Sequence, residues 1–437
     1  MDFGTSSDPR VQAQLDRLAT LSLPQGRFGL GTMRALMARL GDPQGYLPPV
    51  FHVAGTNGKG STCAFLRAML EADGKCVHVA ISPHLVRYNE RIVVAGEEIT
   101  DGSLADLLCE VLDAADRLYG AESLAPSFFE ATVAASFLAF ARTPADACVI
   151  EVGLGGRFDA TNVIEHPAMC GIAALGIDHE RFLLAPEDGV PQTPIARIAF
   201  EKAGIVKQGR PVVTQSQTPD AAREIGRAAS AAGAPLAMQG VDWHVSTTAT
   251  GLHYEDRHGA LALPLPALAG PHQVQNAGLA MAMLRHQDAV SASRDSIATG
   301  LRTARWPGRL QRLPDGMFGT NRALWLDGGH NRNAGEALAA HLAGTRLHLV
   351  LGMLEAKDPA ALVAPLGDSI ASLTIVPVPG HEAHPASAFG AEARRAPDVA
   401  LALAALPDDG LPVLVAGSLY LAGSVLREAG AMPGGAA

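Results

Sequence analysis

The segment Phe51–Thr62, FHVAGTNGKGST, holds the residue types that a bound phosphate needs. An apolar run, Val50 to Ala54, breaks into Gly55-Thr56-Asn57-Gly58-Lys59-Gly60-Ser61-Thr62, and an amphipathic segment from Cys63 to Leu70 follows. A strand, a glycine-rich turn and a helix start together aim successive backbone N–H groups, and the positive end of a helix, at one anion. Lys59 has the reach for outer phosphates, and Ser61 or Thr62 offers a hydroxyl to Mg2+. The spacing is tighter than GxxxxGK[ST], because Gly60 separates the lysine from the hydroxyls. A bare glycine turn would be unremarked; Lys59 in this context makes it a phosphate cradle.

Three further positions fall where metal ligands would be useful. Ser82 ends one apolar run, Glu151 ends another ahead of Gly153-Leu154-Gly155-Gly156, and His179 lies just past a third in Gly176-Ile177-Asp178-His179. Ligands of open α/β sheets gather outside the carboxyl ends of the strands, so the three are expected to converge on the phosphate site. A hydroxyl and a carboxylate suit a Mg2+ ion that keeps waters and bridges phosphates, whereas histidine is an unusual ligand for it. Each position has a plainer reading. Ser82 before Pro83 can start a turn, and Asp178-His179 can be a surface turn. Glu151 is hardest to dismiss, since a carboxylate at the end of an apolar run is costly to bury without a partner.

Lys202 stands late in a helical segment before Gly204, where a lysine also suits the helix terminus. Arg309, in Trp306-Pro307-Gly308-Arg309, fits phosphate recognition or a structural ion pair equally. Asp327-Gly328-Gly329-His330-Asn331 follows a strand and precedes a helix, which Asn331 can cap. There is no GxGxxG fingerprint, no nucleophile motif, and no basic aromatic stripe for nucleic acid.

These residues need strands and helices to position them. Apolar runs at Val50–Ala54, Cys76–Ile81, Ala147–Val152, Cys170–Leu175 and Pro211–Thr214 alternate with helical patterns such as Ser61–Ala72, Phe129–Ala141 and Ile195–Ala203. That alternation predicts a mostly parallel sheet with helices on both faces. Val241–Leu265 alternates differently and predicts a small antiparallel patch; Gln273–Gln287 predicts a helix. The strand–helix rhythm then restarts from Ala323. The expected architecture is α/β in two domains: a P-loop-type domain over residues 1–300, and a smaller Rossmann-like domain over 301–437. A formal charge of −10 disfavours a general nucleic-acid binder, so anionic ligands must be held by local devices. Five scattered cysteines read as reduced thiols of a cytoplasmic protein. No secretion signal opens the chain, and the longest apolar helical segment, Ala131 to Ala141, is too short for a bilayer.

Taken together the motifs resemble the folylpolyglutamate synthase and dihydrofolate synthase family of Mur-type ATP-dependent ligases. The likeness runs from about Phe28 to Leu426 and includes HVAGTNGKGST, SPHLVRYNERI, IEVGLGGRFDATN, GIDH, EKAGIVK, HQVQNA, WPGRLQ and LDGGHN. It implies that ATP phosphorylates a carboxylate, that L-glutamate attacks the acyl phosphate, and that domain closure completes the site. Thr56, Asn57, Gly58, Lys59, Gly60 and Ser61, with Asn276, Arg309 and Asp327, would bind ATP. Ser82, Glu151 and His179 would bind two Mg2+ ions, and Lys202 would be carboxylated to a carbamate. Lys59, Glu151, His179 and Lys202 form the expected catalytic set. The pteroate side would be lined by Arg27, Phe28, Gly29 and Leu30, by Ser127, Phe128, Phe129 and Glu130, and by Phe158, Asp159 and Ala160, with His330 also on the substrate. The resemblance implies a cytoplasmic monomer acting on dihydropteroate and tetrahydrofolate. Other readings of the residues are a Mur-type ligase for another carboxylate and a P-loop ATPase switch. Two departures stand out. Gly329 and Arg332 replace alanine and proline of the family's DxAHNP, and the stretch between His179 and Lys202 is long enough to threaten the placing of Lys202.

Overall fold

The computed structural model describes residues 4–21, 29–122 and 124–430. They divide into two compact units, the larger holding residues 4–267 and Val274–Ala304, the smaller Leu268–Gln273 and 305–430.

In the larger unit, helices α1 (Pro9–Thr20) and α2 (Gly31–Arg39) precede strand β1 (Val50–Ala54). Helix α3 (Lys59–Ala72), β2 (Val77–Ala80), β3 (Ile92–Val94) and β4 (Glu97–Glu98) follow, then α4 (Asp101–Glu122), α5 (Phe128–Arg142) and β5 (Ala147–Glu151). Next come β6 (Met169–Ile172), α6 (Glu180–Leu183), α7 (Pro194–Ala203), β7 (Val212–Thr214), α8 (Pro219–Ala231) and β8 (Leu236–Met238). The sheet order is β4-β3-β2-β5-β1-β6-β7-β8, with β3 and β4 antiparallel and the rest parallel. Every residue of β1, β2, β5 and β6 is buried. Unbroken apolar runs of this kind belong to strands covered on both faces, which is why they do not alternate. One core joins Leu15, Met33, Leu108 and Phe137 to Ile150, and another joins Ala199 and Ile225 to Ala54 and Ile172.

Register decides where the chemistry lies. Val53 is level with Glu151 on one side and with Gly171 on the other, and Ala80 is level with Ile150. The residues just beyond β1, β2, β5 and β6 therefore emerge together at one edge of the sheet, where the order reverses around β1.

Strands β9 (Trp243–Thr247), β10 (Leu252–Asp256) and β11 (Gly259–Leu263) form the antiparallel meander, followed by α9 (Pro271–Arg285) and α10 (Arg294–Thr303). A buried bidentate pair, Arg285 Nε and Nη2 to Asp256 at 2.7 Å each, ties α9 to β10.

The smaller unit contains β12 (Gln311–Arg312), β13 (Leu324–Leu326), α11 (Arg332–His341), β14 (Leu347–Leu351), α12 (Ala360–Leu366), β15 (Ile370–Ile375), β16 (Arg394–Arg395), α13 (Val399–Ala404), β17 (Val413–Ala416) and α14 (Leu419–Glu428). Its sheet order is β12-β13-β17-β14-β15-β16, parallel except for β12. Leu349, Leu351, Leu362 and Leu414 centre its core.

The sequence pattern did not anticipate α1, α2, α6, α10 or the short strands β3, β4, β8, β12 and β16. The start of α1 carried a signal all the same: Asp8 accepts from the amides of Arg10 and Val11, and Pro9 opens the helix.

Candidate active site

The glycine-rich loop between β1 and α3 forms as its residues require. Gly58 has φ 87°, and a Cβ there would lie 2.3 Å from Asn276 Oδ1, so both backbone conformation and space demand glycine. Gln215 Nε2 donates to the same Asn276 oxygen at 3.1 Å, which fixes Asn276 against the loop. One expectation needs correcting. The amides of Thr56 and Asn57 donate to Ala174 O at 2.9 and 3.1 Å, and Thr56 Oγ1 donates to Gly176 O. These groups anchor the loop to the segment after β6. The amides left to an anion are those of the first turn of α3, from Lys59 through Ser61, which have no partners within the helix. Thr62 Oγ1 donates back to Gly58 O at 2.9 Å, so of the two hydroxyls Ser61 is the candidate for a metal.

Beside the loop is a small cavity. Gly55, Thr56 and Lys59 line one side, Gly153, Leu154 and Gly155 another, and Asp178, His179, Leu183 and Lys202 the rest. Two amines thus share one enclosure. Lys59 Nζ donates to Gly55 O at 3.2 Å. Lys202 is only 5% exposed; burial, and next the charge of Lys59, pull its ammonium down to about 7. The long stretch after His179 does not displace it: α7 delivers Lys202 into the cavity. Gly204, the residue that ends α7, has φ −60°, so no left-handed turn calls for glycine there. Its lack of a side chain serves close approach, since a Cβ there would lie 2.4 Å from Arg157 Cα.

Ser82 and Glu151 do meet, with Ser82 N donating to Glu151 Oε2 at 3.2 Å. Glu151 is 7% exposed at the end of β5. His179 lies on the cavity wall in a left-handed conformation, φ 54°, with Nε2 4.0 Å from Asp178 Oδ2. No group of three or more His, Cys, Asp or Glu side chains among the described residues is arranged to hold a metal. The donor set nevertheless fits a hard cation bound through one buried carboxylate and a hydroxyl, and completed by phosphate oxygens and water. Asp178, also on the cavity wall, stands in no sequence spacing that singles it out.

On the proposed pteroate side, Ser127 and Glu130 form a capping box at the start of α5. Glu130 Oε2 accepts from Ser127 N and Oγ at 2.8 Å each, and Ser127 Oγ accepts from Glu130 N. Phe128 is buried edge-on to Tyr88, ring centroids 6.1 Å apart. Phe129 is the ring that reaches the glycine-rich loop, where a Cβ on Gly153 would sit 2.3 Å from its Cζ. Asp159 is buried, and burial raises its carboxyl despite bonds from Leu154 N and from Thr161 N and Oγ1. These bonds make Asp159 the clasp of the 153–161 turn. Ala160 is buried, whereas one face of the part-exposed Phe158 is covered by Arg157. Leu30 precedes α2 and packs on the core; Gly29 is exposed. Arg27 and Phe28 lie outside the described residues.

In the smaller unit Asp327 accepts from Leu310 N at 2.7 Å and Gly329 N at 2.6 Å. A Cβ on Gly329 would lie 2.7 Å from Asp327 Oδ1, so glycine suits this turn. Asn331 caps α11 by accepting from Ala334 N at 3.0 Å, and Arg332 begins the helix; the departures from DxAHNP leave the helix start intact. His330 Nδ1 bonds Gly328 O at 3.1 Å. Arg309 passes over Gly328, where a Cβ would be 2.9 Å from its Nη1.

No protein-family model matches the chain. Curated relatives do. It is 36% identical over 342 residues to the dihydrofolate synthase/folylpolyglutamate synthase of Bacillus subtilis, spanning 75% of this chain and 76% of that protein. It is 33% identical over 417 residues to the folylpolyglutamate synthase of Lacticaseibacillus casei, spanning 89% and 92%. Among solved structures, Escherichia coli FolC in complex with DHPP and ADP superposes with a TM-score of 0.83 at 30% identity, over 97% of this chain and 98% of that one. The Mycobacterium tuberculosis folylpolyglutamate synthase complexed with ADP and AMPPCP gives 0.83 at 29% identity, over 97% and 99%. A bifunctional enzyme with Mn, AMPPNP and L-glutamate bound gives 0.81 at 30% identity, over 97% and 98%. With its glycine–lysine loop between β1 and α3 and its likeness to these proteins over most of its length, the chain belongs to the folylpolyglutamate synthase/dihydrofolate synthase family of ATP-dependent ligases.

Proposed function

We propose that this ligase adds L-glutamate both to dihydropteroate and to the γ-glutamyl tail of tetrahydrofolate, and that the cavity beside α3 holds the phosphates of ATP. The observation that carries this is the convergence of Lys202 and Lys59, the first residue of α3, on one cavity. An enclosure with two amines and a helix N-terminus favours a multiply charged anion.

The γ-phosphoryl group passes to the substrate carboxylate, giving an acyl phosphate and ADP. The amine of glutamate attacks the acyl carbon, and phosphate departs as the amide forms. Such chemistry depends on position and charge more than on covalent help. Main-chain amides of Lys59, Gly60 and Ser61 and the Lys59 ammonium would orient the phosphates. Glu151 and Ser82, with His179 at the rim, would hold two Mg2+ ions. Bound there, the metal supplies charge neutralisation for the transferring group. Lys202, with its proton affinity lowered by burial, has a neutral amine available near pH 7, the form that combines with carbon dioxide to give a carbamate. Phe129 and Phe158 offer faces to a pterin ring. Asn276, Arg309 and Asp327 are assigned to the nucleotide, and His330 to substrate, on the resemblance.

We further propose two Mur-ligase-type domains, the first ending near residue 300, and a cytoplasmic monomer; light scattering tests the latter. No helix among the described residues is long and apolar enough to cross a membrane. The deciding experiment is a paired assay with dihydropteroate and tetrahydrofolate, each with ATP, Mg2+ and glutamate. Mass spectrometry should show a glutamyl residue gained on both. Phosphate release from ATP alone, with neither product, would sink this reading in favour of an ATPase switch.

A further inference from the structure

Between α6 and α7 the chain runs through Pro186, Glu187, Gly189 and Pro191, the stretch longer than its family resemblance leads one to expect. It is not loose. Glu187 is gripped by two arginines: Arg157 Nη1 donates to Oε1 at 3.0 Å and Nη2 to Oε2 at 2.5 Å, while Arg197 Nη2 donates to Oε2 at 2.8 Å. The same arginines hold a second carboxylate, Glu201. Arg157 Nη2 lies 2.9 Å from Glu201 Oε1, Arg157 Nε 3.2 Å from Oε2, and Arg197 Nη2 3.0 Å from Oε1. Glu201 and Arg197 are nearly buried, and Glu187 is the outermost member, with its side chain 26% exposed. The charges alternate and cancel, as a buried network requires.

Glu201 is the residue before Lys202, and the backbone around it is clasped as tightly. Arg157 N donates to Glu201 O at 2.7 Å, and Asn162 Nδ2 donates to both Arg157 O and Gly204 O at 3.0 Å. A Cβ on Gly156 would meet the carbonyls of Glu201 and Lys202 at 2.8 Å. Arg197 Nε also donates to the carbonyl of Leu183, a wall residue of the cavity. Arg157 is therefore the point where the strap, the glycine loop after β5 and the end of α7 meet. Its guanidinium lies 4.2 Å over Phe158, on the proposed pterin side.

We propose that Arg157, latched by Glu187, is a positioning residue for Lys202: the strap between α6 and α7 locks the lysine-bearing end of α7 against the cavity, so the strap acts on turnover without touching substrate. This inference rests on the assignment of Lys202 to the ligase site. Lysine is no substitute for Arg157, because its compact ammonium cannot reproduce the two-nitrogen grip that the planar fork makes on each carboxylate.

The experiment compares the full chain with Glu187→Gln, Arg157→Lys and the double variant. Product formation by the unaltered enzyme tests the ligase reading first, independently of the strap. Given that, each single variant should lower kcat about 10-fold while the KM for ATP changes less than about twofold, since misplacement of a group by about 1 Å suffices for such losses. The double variant should be little worse than either single one, because residues in one network are not additive. Carbamate at Lys202, followed by carbon-13 NMR after adding labelled bicarbonate, should fall in parallel, and excess bicarbonate should restore part of kcat. That signal needs no substrate, so it decides the matter even if the unaltered chain forms no folate product. Unchanged kcat and carbamate content in Glu187→Gln would overturn the proposal, as would full activity in Arg157→Lys. Additive losses that follow thermal stability alone would overturn it too. Should Arg157→Lys fail to fold, the outermost variant, Glu187→Gln, decides between these outcomes by itself.

Discussion

The cavity beside α3 and the Asp327–Asn331 turn of the smaller unit look alike in sequence: each follows a strand, contains glycines and opens a helix. Their polar groups are disposed in opposite ways. In the turn, Asp327 bonds Leu310 and Gly329 amides, His330 bonds Gly328, and Asn331 caps its own helix. At the cavity, Lys59 and Lys202 face one enclosure, and the charge of Lys59 adds to burial in lowering the proton affinity of Lys202. Like charges held together away from water are costly unless an anion offsets them. The difference separates a strand end whose polar groups brace its own backbone from one that gathers two amines whose charge an anion would offset.

The largest expected effect breaks the comparison at its stronger side. Lys59→Ala should cut kcat by at least on the order of 10²- to 10³-fold in glutamate-dependent ADP release. Retention of most activity would remove the distinction between the two turns. Next, Glu151→Gln should raise the Mg2+ concentration needed for half-maximal rate by about 10- to 100-fold, only partly overcome by excess metal. An unaltered Mg2+ titration would take Glu151 out of the metal site.

A third test concerns pH. The folded chain holds Lys202 neutral above about 7, whereas the unfolded chain keeps its proton up to the ordinary 10.5. In the unmodified protein, stability therefore declines as pH falls from 10.5 through about 7, and Lys202→Met should flatten that decline in denaturant titrations across the window. Carbamate formation needs the neutral amine, so bicarbonate-stimulated activity should rise as pH increases through about 7. A stimulation that grows toward acid pH would count against Lys202. The smallest effect belongs to the helix cap of the turn: Asn331→Ala should cost about 1 kcal/mol of stability through the lost cap, read by urea unfolding. A much larger loss of turnover than of stability there would show that the cap also sets the positions of Asp327 and His330.

The sequence alone marked the strands β1, β2, β5 and β6, the helices α3, α5 and α7, and the glycine–lysine loop between β1 and α3. These signals are local: a run of apolar residues covered on both faces, a glycine beside a lysine, a cap before a helix. Short edge strands such as β4 and β16 left no such trace, because two residues cannot display a period. The tertiary structure alone decided which polar groups remain for a ligand. The Thr56 and Asn57 amides were claimed by Ala174, and Asp159 by its own turn. Lys202 was brought within the field of Lys59, and Glu187 was delivered to Arg157 from thirty residues away. Such pairings depend on strand register and on close backbone approach at Gly156 and Gly204. Those are properties of distance in space, to which order along the chain gives no measure.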